Sequence, residues 1–223
     1  MGTLFTLGFA PFNFWPLTII SLGGYFFLLQ STTYRQAILI GFFYGIGIYL
    51  TGISWLFVSI YYQGNIDLIW SLIITGIFIT LLAIYNTFQA IIYKFFETKS
   101  YLDALLVFPV SWIFIELIRG FLFTGFPWLV TGVVLGDTFL DGFMPIIGAS
   151  GNTLYIAILA GVLNLIIAHL KKRAFNKLLI ISVLVMVISG NLTKNIKWTN
   201  PVDSIDVSIY QPNLTLEKKW SFS

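Results

Sequence analysis

Cysteine is absent from all 223 residues. That excludes disulfides, thiolate metal sites and a cysteine nucleophile supplied by this chain. Charge is scarce too: 9% of residues are Asp, Glu, Lys or Arg, against about 25% in soluble domains. There is a single histidine, His169, and no grouping of His, Asp and Glu at metal-ligand spacing, so neither a metal nor a cofactor is expected. Neither a Ser–His–Asp arrangement nor a basic, aromatic-interleaved patch for nucleic acid is visible. What the chain has in abundance is apolar: 58% hydrophobic residues and a mean hydropathy of +0.91. A water-soluble core of this length could not hide so much apolar surface. A bilayer removes the difficulty by replacing water around the outer surface. The expected fold class is an all-α polytopic membrane helical bundle.

A membrane-spanning helix takes about 20 apolar residues. Runs of that kind cover 14–30, 37–62, 68–96, 102–123, 152–170 and 178–191. Residues 1–10 form a shorter apolar segment, about 15 Å long as a helix. It is read as a stub of a longer helix, or as a start cut short upstream. Residues 1–192 are therefore expected to hold about six spanning helices plus this stub. No cleavable signal peptide is expected, because the start has neither a basic n-region nor an A-x-A-like site.

Lysine and arginine orient the spans. Arg35, then Lys94 and Lys99, then Lys171, Lys172, Arg173 and Lys177 fall on alternate connections, seven of the 12 basic residues. The connections at 63–67 and 124–151 carry none, but hold Asp67, Asp137 and Asp141. By the positive-inside rule the basic connections are cytoplasmic, which puts the C-terminal tail on the periplasmic side. His169 lies beside the basic run at the cytoplasmic headgroups, where a catalytic role is not expected. In the tail, 193–204 reads as a linker containing Pro201. Ile205, Val207 and Ile209 alternate with Asp206 and Ser208, the period of a half-buried strand, so 205–223 is expected to begin a new domain.

The outer connection and the helix before it carry the most informative residues. Glu116 and Arg119 are three apart and share a helix face, where they can pair. One reading is a structural ion pair at a helix end; the other has Arg119 also attract a lipid phosphate. Gly125 and Pro127 break the helix, and Trp128 is read either as an interface anchor or as the wall of an acyl-chain or headgroup pocket. Gly41 and Gly45, with Gly47 and Gly52 beyond them towards Trp55, have the small-residue spacing of close helix packing. No strand or basic residue accompanies them, so they are not read as a phosphate loop.

These strings, taken together, resemble the apolipoprotein N-acyltransferase family: Phe9-Ala10-Pro11-Phe12 with Trp15-Pro16; the 41–59 stretch with Gly52-Ile53-Ser54-Trp55; Glu116-Leu117-Ile118-Arg119-Gly120; Thr124-Gly125-Phe126-Pro127-Trp128; Pro145-Ile146-Ile147-Gly148; and Val207 through Gln211-Pro212-Asn213 to Lys219-Trp220. Their order and spacing run through nearly the whole chain. The resemblance implies a multi-helix membrane domain followed by a periplasmic, α/β nitrilase-like domain, whose first β-strand would be 205–209. It implies transfer of an acyl chain from a membrane phospholipid, through a cysteine thioester, to the α-amine of a diacylglyceryl apolipoprotein. The Glu–Lys–Cys triad of that chemistry lies in the nitrilase-like domain, so no catalytic residue is expected here and the chain alone is expected to be inactive. A separately encoded nitrilase-like domain is a possible partner under this resemblance, and nucleic acid is not. The resemblance gives Trp128, Phe126 and Trp220 substrate-lining roles, with Glu116 and Arg119 as structural or headgroup residues. Two other readings stand beside it: a lipid- or partner-binding membrane scaffold, and a small transporter.

Overall fold

Thr33 sets the start of the first long helix: its hydroxyl caps the Gln36 amide, and the Gln36 side chain returns to the Thr33 N–H at 2.9 Å. This reciprocal cap satisfies two otherwise orphaned donors. It starts α3 (Tyr34–Gly52) three residues before the apolar run begins. In the computed structural model, which describes residues 1–171, 177–214 and 219, all regular structure is helical. The remaining helices are α1 (Gly2–Thr6), α2 (Trp15–Gln30), α4 (Trp55–Val58), α5 (Leu68–Phe96), α6 (Phe108–Phe121), α7 (Met144–Lys171) and α8 (Lys177–Thr193). Pro16 occupies the first turn of α2, where its missing N–H costs nothing. Asp67 caps α5 by accepting from the Ile69 amide at 2.9 Å.

Three stretches, Leu68–Phe96, Asp103–Thr124 and Asp141–Lys171, are long and apolar enough to cross a membrane. Tyr34–Gly52 and Trp55–Gln63 would make a fourth span if the pair, bent by 50°, is counted as one. Trp15–Gln30 and Lys177–Thr193 are apolar but shorter, at 16 and 17 residues. The 29 residues of α5 extend for about 43 Å, well beyond a hydrocarbon layer of about 30 Å, so this helix tilts or protrudes.

α3 and α5 form the most extensive helix pair, and the glycines explain why. A Cβ on Gly45 would lie 2.8 Å from Ala83 Cα, and one on Gly41 would lie 2.6 Å from the Asn86 carbonyl oxygen. Backbones this close leave no room for a side chain, which is the packing the small-residue spacing predicts. The core is aromatic: Tyr25 and Tyr44 stack with centroids 4.0 Å apart, and Phe26, Phe108 and Trp112 close around them. Polar bonds stitch the helices together inside, from Tyr25 to Gln89 (2.7 Å), Gln89 to Ser111 (2.8 Å) and Asn164 to the Gly23 carbonyl (2.8 Å). Outside, Ile69, Leu72, Ile77 and Phe88 of α5 are exposed while Ser71, Thr75, Asn86 and Gln89 of the same helix are buried. Polar within and apolar without is the arrangement lipid favours.

Residues 196–214 carry no regular structure. No strand forms at 205–209, where Ile205 is 85% and Ile209 90% exposed. A lone strand has no partner for its ladder and no face to bury against, and none of the described residues supplies one. Trp220 lies outside the described residues.

Candidate functional site

α6 brings Glu116 and Arg119 to one buried face, as their spacing requires. They do not pair with each other: among the described residues no ion pair joins them. Each instead grips the chain that follows. One carboxylate oxygen of Glu116 accepts from both the backbone N–H (2.8 Å) and the hydroxyl (2.7 Å) of Thr131, and the other accepts from the Thr153 hydroxyl of α7 at 2.5 Å. The Arg119 guanidinium donates to the carbonyls of Phe126 (3.0 Å), Trp128 and Leu129 (3.4 Å). Its own carbonyl accepts from the Phe126 N–H at 2.8 Å. The expected ion pair is thus replaced by two clamps, one of each sign, on a single connection. The reason is competition: amides and carbonyls without helical partners are costly to leave bare in a membrane protein, and a charged group bonds them more strongly than a neutral one.

The clamped connection leaves α6 through Leu122–Thr124, where Phe123, Thr124 and Gly125 all have positive φ (53°, 70° and 81°). Only Gly125 adopts such angles without steric cost, so the other two are held there by their surroundings. Thr131 opens a 3₁₀ turn, Thr131–Leu135, and its hydroxyl also accepts from Trp112 Nε1 at 2.9 Å. Gly132 packs flat on α7, donating its N–H to Thr153 at 2.9 Å.

Between the clamps the connection presents its aromatics. Phe126 stacks on Trp128 with centroids 5.5 Å apart and meets Phe78 of α5 edge-on at 5.3 Å, while Trp55 lies 5.8 Å from Trp128. Trp128 is half exposed, at 49%. Phe126 and Gly125 border a cleft of about 820 Å³ between α5 and α6, whose wall includes Tyr85, Phe88, Ile92 and Ile118. That volume lies in the range of small-molecule sites, and the wall is almost wholly apolar. Across Ile115, which borders both, Tyr49, Asn86, Gln89, Glu116 and Arg119 line a much smaller pocket.

The structure therefore brings Glu116, Arg119, Phe126 and Trp128 into one site. His169 lies elsewhere, its Nδ1 paired with the Leu165 carbonyl at 2.8 Å near the basic end of α7. Among the described residues no three His, Asp or Glu side chains gather as a metal site would require. The site holds no activated nucleophile. It can shape and hold an apolar ligand. Thr131, Thr153, Trp112 and Phe78 belong to it and were not singled out from sequence; a threonine inside an apolar helix, as at Thr153, was the one signal available.

Fold and site define a multi-pass membrane protein with an apolar cleft between two of its helices, bordered by the aromatic connection. The family model described as the apolipoprotein N-acyltransferase N-terminal domain matches residues 1–162. The apolipoprotein N-acyltransferase of Photobacterium profundum is 35% identical over 222 residues, covering 98% of this chain and 42% of the relative. That of Coxiella burnetii is 33% identical, over 98% and 46% respectively, and that of Haemophilus influenzae 31%, over 98% and 42%. The chain belongs to the apolipoprotein N-acyltransferase family, and it spans about half the length of the curated relatives it matches.

Proposed function

We propose that this chain is the membrane module of an apolipoprotein N-acyltransferase, and that the α5–α6 cleft takes the acyl chain of a membrane phospholipid. The observation that carries this reading is that Phe126, which stacks on Trp128, borders the cleft from a connection fixed by Arg119 and Glu116. A fixed border orients a flexible lipid at little entropic cost to the protein. The donor is a phospholipid and the acceptor a diacylglyceryl apolipoprotein. The Cys-bearing nitrilase-like domain supplies the chemistry, either continuous with this chain or as a separate partner. Thiolate exchange needs a nucleophile that these 223 residues lack, so the module alone transfers nothing. Trp220 keeps its proposed role beside the substrate. The basic connections support an orientation in the bacterial inner membrane with the tail in the periplasm. A transporter would use Glu116 and Arg119 as its intramembrane charges, yet both spend their hydrogen bonds on the connection.

The test is a fusion of this chain to the part of the Photobacterium profundum relative that lies beyond the matched region, assayed for acyl transfer to a diacylglyceryl lipopeptide in phospholipid vesicles. The fusion is expected to be active and the chain alone inactive. Phe88→Trp, which fills the cleft, should lower the rate about tenfold, equivalent to losing about 1.4 kcal/mol of remote binding energy. A folded but inert fusion, or a blocked cleft with undiminished rate, would overturn the reading.

A further inference from the structure

At the opposite, basic end of the bundle lies a second cleft, of about 510 Å³, between the α2–α3 turn and the turn that follows α5. Ser31, Thr33, Tyr34, Lys94, Glu97 and Lys99 line it. Its character is the reverse of the α5–α6 cleft: hydroxyls and ammonium groups in place of aliphatic wall. We propose that this cleft binds a phosphate group, carried by an anionic phospholipid of the leaflet at that end.

The cleft is built from the inside. Lys94 is buried, with a side chain 5% exposed. Its ammonium is tied to Glu97 at 2.6 Å and to the Leu29 carbonyl, near the end of α2, at 3.5 Å. Glu97 is also held by the Tyr93 hydroxyl at 3.4 Å. The turn beyond is locked by Asp103, whose carboxylate accepts from the Thr98 N–H (2.7 Å) and hydroxyl (2.8 Å). Asp103 is 4% exposed, so its charge is spent on the turn and does not face the cleft. The locked turn carries Lys99 at a positive φ of 54° and presents it to the cleft. Lys94 and Lys99 set against Glu97 leave a net positive charge on the lining.

Two lining groups are uncommitted. Among the described residues the Lys99 ammonium and the Ser31 hydroxyl have no hydrogen-bond or ion-pair partner. The amides opening α3 contribute little, because Thr33 and Gln36 already cap one another. A phosphate oxygen matches what remains: a point charge from Lys99 and donors from the hydroxyls. The setting is that of a headgroup. Tyr34 of the lining is exposed, and so are Phe95, Phe96 and Tyr101, which flank Glu97 and Lys99 in sequence, as aromatics are at a membrane interface. Lys171 lies over the Phe27 ring at 5.3 Å on the same end, and adds to the attraction for an anionic leaflet.

The experiment must separate a built site from the general pull of a basic surface. Wild-type chain, Lys99→Glu and Lys177→Glu are purified in neutral detergent. Each is titrated with short-chain phosphatidylglycerol, short-chain phosphatidylcholine and inorganic phosphate, with bound lipid counted by native mass spectrometry. Lys177 is exposed at the start of α8, on the same end but outside the cleft, and serves as the control charge. Phosphatidylglycerol is expected to bind wild type about tenfold more tightly than phosphatidylcholine does. Lys99→Glu should abolish that preference, while Lys177→Glu should change it less than about twofold. Displacement of phosphatidylglycerol by millimolar phosphate identifies the phosphate group as what is recognised. Retention against phosphate identifies the whole lipid as the ligand. Equal binding of the two lipids, or equal losses in the two variants, would overturn the proposal. Thermal unfolding without lipid confirms that Lys99→Glu is folded, since its side chain supports no other contact.

Discussion

Replacing Glu116 by alanine should cost more stability than any other single change at the outer connection. The side chain accepts three hydrogen bonds, two from Thr131 and one from Thr153, and both threonines are fully buried. Alanine removes the acceptor of three donors: the Thr131 N–H and hydroxyl are left bare, and the Thr153 hydroxyl keeps only the Ala149 carbonyl at 3.3 Å. Interhelical hydrogen bonds in membranes average about 0.6 kcal/mol each, so three give a floor of about 2 kcal/mol. A buried donor left unsatisfied costs about 1–3 kcal/mol, so the bare Thr131 N–H added to that floor sets a ceiling of about 5 kcal/mol. A loss of about 2–5 kcal/mol corresponds to a Tm lowered by roughly 5–15 °C in a chain of this size. Glu116→Gln keeps an acceptor for the Thr131 N–H, and the Thr153 hydroxyl can turn to meet the new amide, so its cost should be about 1–2 kcal/mol. The assay is thermal unfolding in detergent followed through the seven tryptophans. A Glu116→Ala variant as stable as wild type, or a glutamine variant no better than alanine, would refute the clamp.

Other outcomes follow from the same geometry. Arg119→Lys keeps the charge but cannot fork to the Phe126, Trp128 and Leu129 carbonyls. Protease sensitivity at 124–130 should rise about tenfold, with a smaller loss of Tm than in Glu116→Ala. Gly45→Leu drives a side chain into the Ala83 backbone and should separate α3 from α5. The readout is loss of the monodisperse peak on size exclusion, whereas Gly76→Leu, where nothing lies within 4 Å, should leave it unchanged.

Much of this fold is legible in the sequence because lipid imposes a single demand, a continuous apolar run. Residues 68–96 are read end for end as α5. Hydropathy is blind to backbone direction, however. The run 37–62 conceals a 50° bend after Gly52, and the stretch from Met144 is broken at Gly148 (φ 65°, ψ −174°), so the uninterrupted helix begins just beyond that kink, close to the expected 152. At the site, the spacing of Glu116 and Arg119 correctly gives a shared face and misleads about their partners. An i,i+3 rule counts neighbours along one helix. It cannot see Thr131 and Thr153 returning from 15 and 37 residues away. Alternation at 205–209 describes what a strand would look like, but a strand exists only where another one pairs with it.

The Glu116 clamp has a consequence for how such a chain can change over generations. One carboxylate answers to a backbone amide, two hydroxyls and, through Thr131, an indole N–H, drawn from three separate stretches of chain. A drift at any one of these positions lands in an environment still tuned to the others. Viable variants should therefore arrive as sets, with residues 116, 131 and 153 tolerating joint replacement better than the individual steps suggest. The aromatics at 126 and 128 offer only backbone groups to Arg119. Their rings meet Phe78 and Trp55 and lie outside that coupled set, so the two groups of positions can change independently of each other.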